Sequence, residues 1–423
     1  MMSFSEKMLQ SLADGDIDGA DLFLQQALIH DDLAILLELG EILIERGFLI
    51  EAKEVFLHLQ ENGNEEADLV QIYLAEIAIE EEDFETAFSL LDEIKENSPY
   101  YPRALFEMAN AYQMIGFLEV SLAKLQTLLS LLPDDPTVQF AYAEIALLAE
   151  RDALAQNMYE LLLAAGYKEY SNVSIIARLA LTLANQGKFE EAVTYYQQAY
   201  QQKKSVDVLL HLARLYVQLK ENQSAIPYYE ELLELDPSQT EPFIELADVY
   251  IQEQQPLKAR DRLLQAIKEN PYYVYFYLHL AEVYQQLEDY EKAKDYLEQA
   301  LNLGEEDDQV LVALTKNSFY LADYEQALSY FAEIENAYQG DLLWIVAQCY
   351  NQLEEFEQAS RYYEMAKEEL ADSPAFLTDY AYFLRDEGRI NDALTLLGAY
   401  LTNHSVHDES LHALYDELSE NQW

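Results

Sequence analysis

The sequence predicts an all-α chain, an α-solenoid of about twelve helical hairpins closed by a C-terminal capping helix. Three observations predict it. Ala20, Ala52, Ala87, Ala155, Ala192, Ala225, Ala259, Ala293, Ala327, Ala359 and Ala393, with Ser121 as a small substitute, form a series of twelve. Most steps are about 34 residues, the period of stacked supersecondary units and not of one globular core. Twelve residues before each member lies a second small site, Gly40, Ala75, Ala109, Ala143, Ala180, Ala213, Ala247, Ala281, Ala347 or Ala381, with Met8 and Thr315 as exceptions. Around both sites the apolar residues have helical spacing, as in Phe243, Leu246, Ala247 and Tyr250, then Ala259, Leu263 and Ala266.

Each part of the unit has a physical reason. Small residues at matched points let two crossing helices approach closely. Gly47, Gly116, Gly187 and Gly388 share one repeat position and suit the left-handed residue that ends a first helix. An apolar anchor follows two residues later, among them Leu49, Phe84, Leu118, Phe189, Tyr290 and Phe356. A glutamate often comes next, as Glu85, Glu190, Glu291 and Glu357, where an acid meets the positive end of the helix dipole. Pro99, Pro133, Pro237 and Pro271 punctuate the junctions between repeats.

The spacing widens between Ala143 and Ala180, through Ala165-Gly166-Tyr167-Lys168-Glu169-Tyr170-Ser171-Asn172. This stretch predicts a soft boundary, with repeats 1–5 in residues 1–165 and repeats 6–12 in residues 166–402. A second weak point is Gly304 to Asp308. Residues 403–423 form the cap and tail: Ser405 and Asp408 fit a capping box, and Leu411, Leu414, Tyr415 and Leu418 make one apolar stripe. A polar outer face on that helix is what a terminal unit needs.

The set resembles the tetratricopeptide repeat (TPR) family over about residues 1–401. Besides the small residues, the family's aromatic sites appear as Tyr112, Tyr216, Tyr250, Tyr284 and Tyr350 at position 11. Phe56, Tyr159, Tyr196, Tyr229, Phe331 and Tyr363 stand at position 24. The acidic, tyrosine-rich composition is also similar to TPR proteins of low-GC Gram-positive bacteria. The resemblance implies a right-handed superhelix whose first helices line a concave groove, chiefly through positions 2, 5, 9 and 12. On that map the groove carries Glu41, Glu76, Asn110, Glu144, Arg214, Asp248, Glu282 and Lys316 at position 9. Phe106, Phe140 and Trp344 stand at position 5, Phe319 at position 12 and Tyr275 at position 2. Packing between adjacent first helices competes with this reading for the apolar members, and a solvated face competes for the acids. The family's clamp for chaperone C-termini needs Lys at position 5 and Asn at position 9. Only Asn110 fits, so that activity is not expected.

The 423 residues carry 79 acidic and 25 basic side chains, a formal charge of −54. Such a chain repels phosphate backbones and anionic membrane surfaces, so neither nucleic acid nor membrane insertion is expected. Acidic exteriors keep a long solenoid soluble, and they also favour a basic partner. No apolar run reaches the length of a membrane span, and Met1 to Asp16 lacks the layout of a signal peptide. Cys349 is the single cysteine and reads as a packing residue within a helix. These features lead to the expectation of a cytoplasmic protein.

No phosphate loop, nucleophile elbow or H-E-x-x-H is present. His404, His407, Asp408 and His412 are the best metal candidates, but surface histidines on a capping helix explain them better. No catalytic residue, cofactor or metal is expected. The expected function is a non-enzymatic scaffold or adaptor that holds a basic or amphipathic protein segment in an acidic groove. The alternatives are a peptide sensor that changes superhelical pitch, and self-association through the end repeats or Trp344.

Overall fold

A computed structural model describes residues 2–63, 66–304, 307–335, 339–403 and 409–420. The chain forms two compact units, Met1–Lys204 and Ser205–Trp423.

Unit 1 contains six hairpins. They are α1 (Phe4–Asp14) with α2 (Ile17–His30), α3 (Leu33–Glu45) with α4 (Leu49–Glu61), and α5 (Ala67–Glu80) with α6 (Phe84–Asp92). Then come α7 (Tyr101–Met114) with α8 (Leu118–Leu131), α9 (Pro136–Leu148) with α10 (Asp152–Ala164), and α11 (Ile175–Asn185) with α12 (Phe189–Gln202). Two short strands, β1 (Glu169–Tyr170) and β2 (Val173–Ser174), pair antiparallel before α11.

Unit 2 contains six more hairpins. They are α13 (Val206–Gln218) with α14 (Asn222–Leu235), α15 (Glu241–Gln252) with α16 (Pro256–Glu269), and α17 (Val274–Gln286) with α18 (Tyr290–Leu301). Then come α19 (Asp307–Tyr320) with α20 (Tyr324–Glu333), α21 (Gly340–Gln352) with α22 (Phe356–Leu370), and α23 (Pro374–Asp386) with α24 (Ile390–Asn403). A final helix, α25 (Glu409–Glu420), packs on α23 and α24.

The small residues behave as their spacing demands. Every alanine of the main series is buried, at no more than 1% exposure. Ser121 is buried as well, and its hydroxyl donates to the Ala109 carbonyl at 2.8 Å, joining the two small sites of one hairpin. A Cβ on Gly40 would sit 2.5 Å from the Phe56 ring, so the α3–α4 crossing has no room for even a methyl group. Gly47, Gly116, Gly187 and Gly388 all have φ between +72° and +80°. The same turn position is left-handed in repeats that lack glycine, at Glu82, Glu150, Lys220, Gln254, Glu288, Ala322 and Glu354. Hairpin closure therefore overrides a local preference of about 1 kcal/mol per residue.

The units divide at Lys204/Ser205, and the widened 165–172 stretch lies within unit 1. Tyr170 anchors that stretch: its hydroxyl is 2.5 Å from Thr137 Oγ1, and its ring lies against Phe140 at 5.0 Å. At the division the backbone is extended, with Lys203 at φ −152° and Ser205 at φ −140°. In α25, Leu411, Leu414 and Leu418 are buried while Glu409, Asp416, Glu417 and Glu420 are exposed. Ser405, Asp408, His404 and His407 lie outside the described residues. Among the described residues no helix is long and apolar enough to cross a membrane. Nor do those residues hold a cluster of three or more His, Cys, Asp or Glu placed for a metal. Cys349 is buried, and burial pushes its thiol up to about 12, far from a reactive thiolate.

Candidate functional site: the first-helix ladder

Successive first helices touch one another, α1–α3, α3–α5 and α5–α7 in unit 1 and α15–α17, α17–α19 and α19–α21 in unit 2. Their facing side chains form a polar ladder. A residue at position 9 of one repeat meets position 6 of the next, a rung that counting positions 2, 5, 9 and 12 misses.

In unit 1 the first rung is Glu41, whose carboxylate accepts from the Tyr73 hydroxyl. Tyr73 stacks on Phe56 at 4.8 Å and carries the Arg103 guanidinium over its other face at 4.4 Å. Burial and the bond to Glu41 push the Tyr73 phenol up to about 12. Arg103 grips Glu76 with Nη2 at 2.7 Å and Nε at 3.1 Å. Burial nonetheless holds the Glu76 carboxyl above the ordinary range, outweighing Arg103. Beside it, Glu107 is half-buried and, among the described residues, accepts only a long bond from Asn110, at 3.3 Å. Burial first, and the charge of Glu76 second, push its carboxyl up to about 7. Glu76, Arg103, Glu107 and Asn110 line an open depression of about 620 Å³, floored by Ile44, Leu49 and Ile77.

The next rungs are tighter. Glu144 accepts from Tyr159 at 2.5 Å and pairs with Arg178 at 3.0 Å. Tyr170 covers one side of Phe140, while Phe106 stays half-buried on α7.

Unit 2 repeats the scheme, with the charges exchanged at its first rung. Arg214 pairs with Glu245 at 2.5 Å and with Glu241 at 3.3 Å, and Glu245 also accepts from Tyr229 at 2.7 Å. His279 Nδ1 lies 3.7 Å from Asp248 and 3.6 Å from Glu282. Asp248 raises the imidazole pKa, burial opposes it, and Glu282 adds to the rise. Trp344 donates its indole N–H to Asp379 at 2.6 Å and meets Phe376 edge-on at 5.8 Å. Asp379 also accepts from Tyr363 at 2.7 Å and Gln348 at 3.0 Å. Tyr275 lies against Tyr273 at 5.4 Å, and Phe319 against Tyr320 at 5.6 Å and Tyr324 at 6.0 Å. Lys316 is half-buried on α19.

The structure thus brings Glu76 and Asn110 into one depression. It engages Glu41, Glu144, Arg214, Asp248 and Trp344 with neighbouring repeats, and it leaves Glu282 63% exposed at the side chain. The position-6 residues Tyr73, Glu107, Arg178, Glu245, His279 and Asp379 are absent from the sequence-based set. The signal for them is complementary chemistry at separations of 31–34 residues, as in Arg214/Glu245 and Glu144/Arg178.

Comparison with known proteins covers most of the repeats. Residues 113–167 match a family described as YpiA-like, tetratricopeptide repeats, and residues 340–404 its C-terminal tetratricopeptide repeats. Residues 178–240 and 251–316 match tetratricopeptide repeat families, and residues 11–114 match the tetratricopeptide repeat protein 21 ARM repeat. The TPR repeat-containing protein YpiA of Bacillus subtilis is 31% identical over 213 residues, covering 50% of this chain and 49% of YpiA. The chain therefore spans about half the length of that curated relative. Among solved structures, a chain of the APC/C hetero-tetramer Cut9–Hcn1 aligns with 97% of this chain and 95% of its own, at 12% identity and a TM-score of 0.42. A tetratricopeptide repeat protein from Parabacteroides merdae aligns with 65% of this chain and 95% of its own, at 18% identity and a TM-score of 0.38. With the recurring small-residue pairs and the hairpins they form, the repeat-family matches and the likeness to YpiA identify the chain as a tetratricopeptide repeat protein, built from units that generally mediate protein–protein interaction.

Proposed function

We propose that the chain is a non-enzymatic scaffold or adaptor that binds a basic or amphipathic protein segment along its first helices. The reception point for a cationic side chain is the Glu76–Glu107 depression of unit 1. One observation supports this above the others. Most acids on the ladder already have a strong donor, whereas Glu107 has, among the described residues, only the long bond from Asn110, and its carboxyl is pushed up to about 7. Arg103 lines the same depression but is bonded to Glu76, so a lysine or arginine entering beside Glu107 supplies that carboxyl with a counter-charge of its own. Its stem lies on Ile44 and Ile77, and its charge makes the ionised form of Glu107 favourable. Asn110 offers an amide to the segment's backbone. The chain's charge of −54 draws such a segment in at long range.

The test is fluorescence anisotropy with a lysine-rich peptide, comparing the full chain with an E76Q/E107Q variant. The native chain binds more weakly as ionic strength rises from about 0.01 to 0.15 M, where the screening length shrinks from about 30 to 8 Å. The variant loses about tenfold in affinity, the worth of one charge-assisted contact. Equal affinity of the two proteins at every salt concentration would refute the site.

A further inference from the structure

Each hairpin tip presents three outward positions: the last turn of the first helix, the residue after the left-handed turn, and the first turn of the second helix. Most repeats fill them with polar residues, as in Gln218/Glu221/Ser224 and Gln252/Gln255/Lys258. Outside repeats four and five the exceptions are Ala13, Gly19, Phe48 and Tyr320. In repeats four and five, five of the six positions are Met114, Phe117, Val120, Leu148 and Leu154. All five are exposed, Met114 at 58%, Phe117 at 59% and Leu148 at 56%.

The fold does not ask for these side chains, because the same turn closes with Gln, Asp or Lys elsewhere. An exposed apolar cluster that the local structure does not need marks an interaction surface. The two tips border a shallow, open cleft of about 400 Å³, lined by Phe117, Val120 and Leu148 and rimmed by Glu119 and Glu150. Arg151 is bridged to Glu119 at 2.5 Å across the tips, so the local basic charge is already used. Glu150 sits at the left-handed turn (φ +57°) and is exposed.

We infer that this cleft is a second docking surface, separate from the first-helix ladder, for a cationic amphipathic helix of another protein. One bulky apolar side chain of that helix fills the cleft, and its lysines or arginines meet Glu150 and the free edge of Glu119. A second copy of this chain is the wrong occupant electrostatically, since it brings −54 against −54. The inference does not rest on the function proposed for the Glu76–Glu107 depression.

The experiment uses the full chain and two labelled peptides of about 18 residues, with the same Leu and Lys content. One has apolar residues at helical spacing and the other is scrambled. The native chain should prefer the amphipathic peptide by about tenfold, the effect of one buried anchor. A variant carrying F117D, V120S and L148Q, all in the cleft lining and all changed to types that other repeats use at these positions, should lose that preference. The E76Q/E107Q variant should keep it, which separates this surface from the ladder. As a second readout, an environment-sensitive dye on V120C should shift to the blue only with the amphipathic peptide. Cys349, being buried, does not compete for the label. The inference is overturned if the native chain shows no preference, if the tip variant keeps it, or if the dye does not respond. Sedimentation showing a dimer lost in the tip variant, or binding to neutral vesicles lost in it, would also overturn it in favour of another occupant.

Discussion

Glu107 is where the ladder's electrostatics can be measured most cleanly. In the unfolded chain its carboxyl titrates near 4.5, and in the fold it is pushed up to about 7. The native state therefore holds a proton that the unfolded state has released. The contribution of the protonated form is fully present below about 4.5 and is lost as pH rises through about 7, so stability falls across that window. A change from 4.5 to about 7 corresponds to roughly 3 kcal/mol at 1.36 kcal/mol per tenfold change in proton affinity. Partial exposure of the site reduces this to about 2 kcal/mol. Glu107→Gln keeps the shape and the bond to Asn110 and cannot ionise. Hydrogen exchange of α5 and α7 amides, read at pH 5 and pH 8, reports the local opening free energy of these repeats. The native chain should lose about 2 kcal/mol more than the variant between those pH values. Parallel pH profiles for the two proteins would refute the reasoning.

Four more predictions follow from other contacts of the repeats. Asp379→Ala leaves the donors of Trp344, Gln348 and Tyr363 without their acceptor, so it should destabilise repeats eleven and twelve by about 3 kcal/mol and red-shift Trp344 emission in thermal melts. Ala322→Gly relieves a left-handed residue at φ +59° and should raise stability by about 0.5–1 kcal/mol, whereas Gly40→Ala should lower it by about 1–3 kcal/mol against Phe56; urea unfolding reads both. The His279 imidazole should titrate by NMR above its ordinary value of 6.5 and fall back in Asp248→Asn. Its stabilising contribution is present below about 6.5 and is lost as pH rises through the raised folded value.

The hairpins were legible because their requirements are local and repeated. Ala259, Leu263 and Ala266 announce a buried helix face wherever they occur, and the alanine register places all twelve hairpins. The turn was half-legible: Gly47 and Gly116 mark it, but Glu82 and Glu354 adopt the same left-handed conformation because packing on both sides compels it. The 165–172 stretch shows in the widened spacing, but the way Tyr170 ties it to Phe140 and Thr137 does not. That contact lies 30 residues away and leaves no local trace. The site was the least legible part. Position 9 supplies its carboxylates, as at Glu76 and Glu144, but their partners come from the following repeat, Arg103 at position 2 and Arg178 at position 6. Arg178 pairs with Glu144, whereas Glu107 stands against Glu76 and its carboxyl is pushed up to about 7. Single-repeat reading treats these acids as equivalent, and only the stacking of one first helix on the next separates them.

The central claim is that a cationic side chain enters the depression beside Glu107 and makes it ionise. Calorimetry of the lysine-rich peptide at pH 7, run in two buffers of different ionisation enthalpy, counts the protons exchanged on binding. With Glu107 near half-protonation, about half a proton should be released per peptide bound, and none in the E107Q variant. Binding heats that do not depend on the buffer, or the same release from E107Q, would contradict the account.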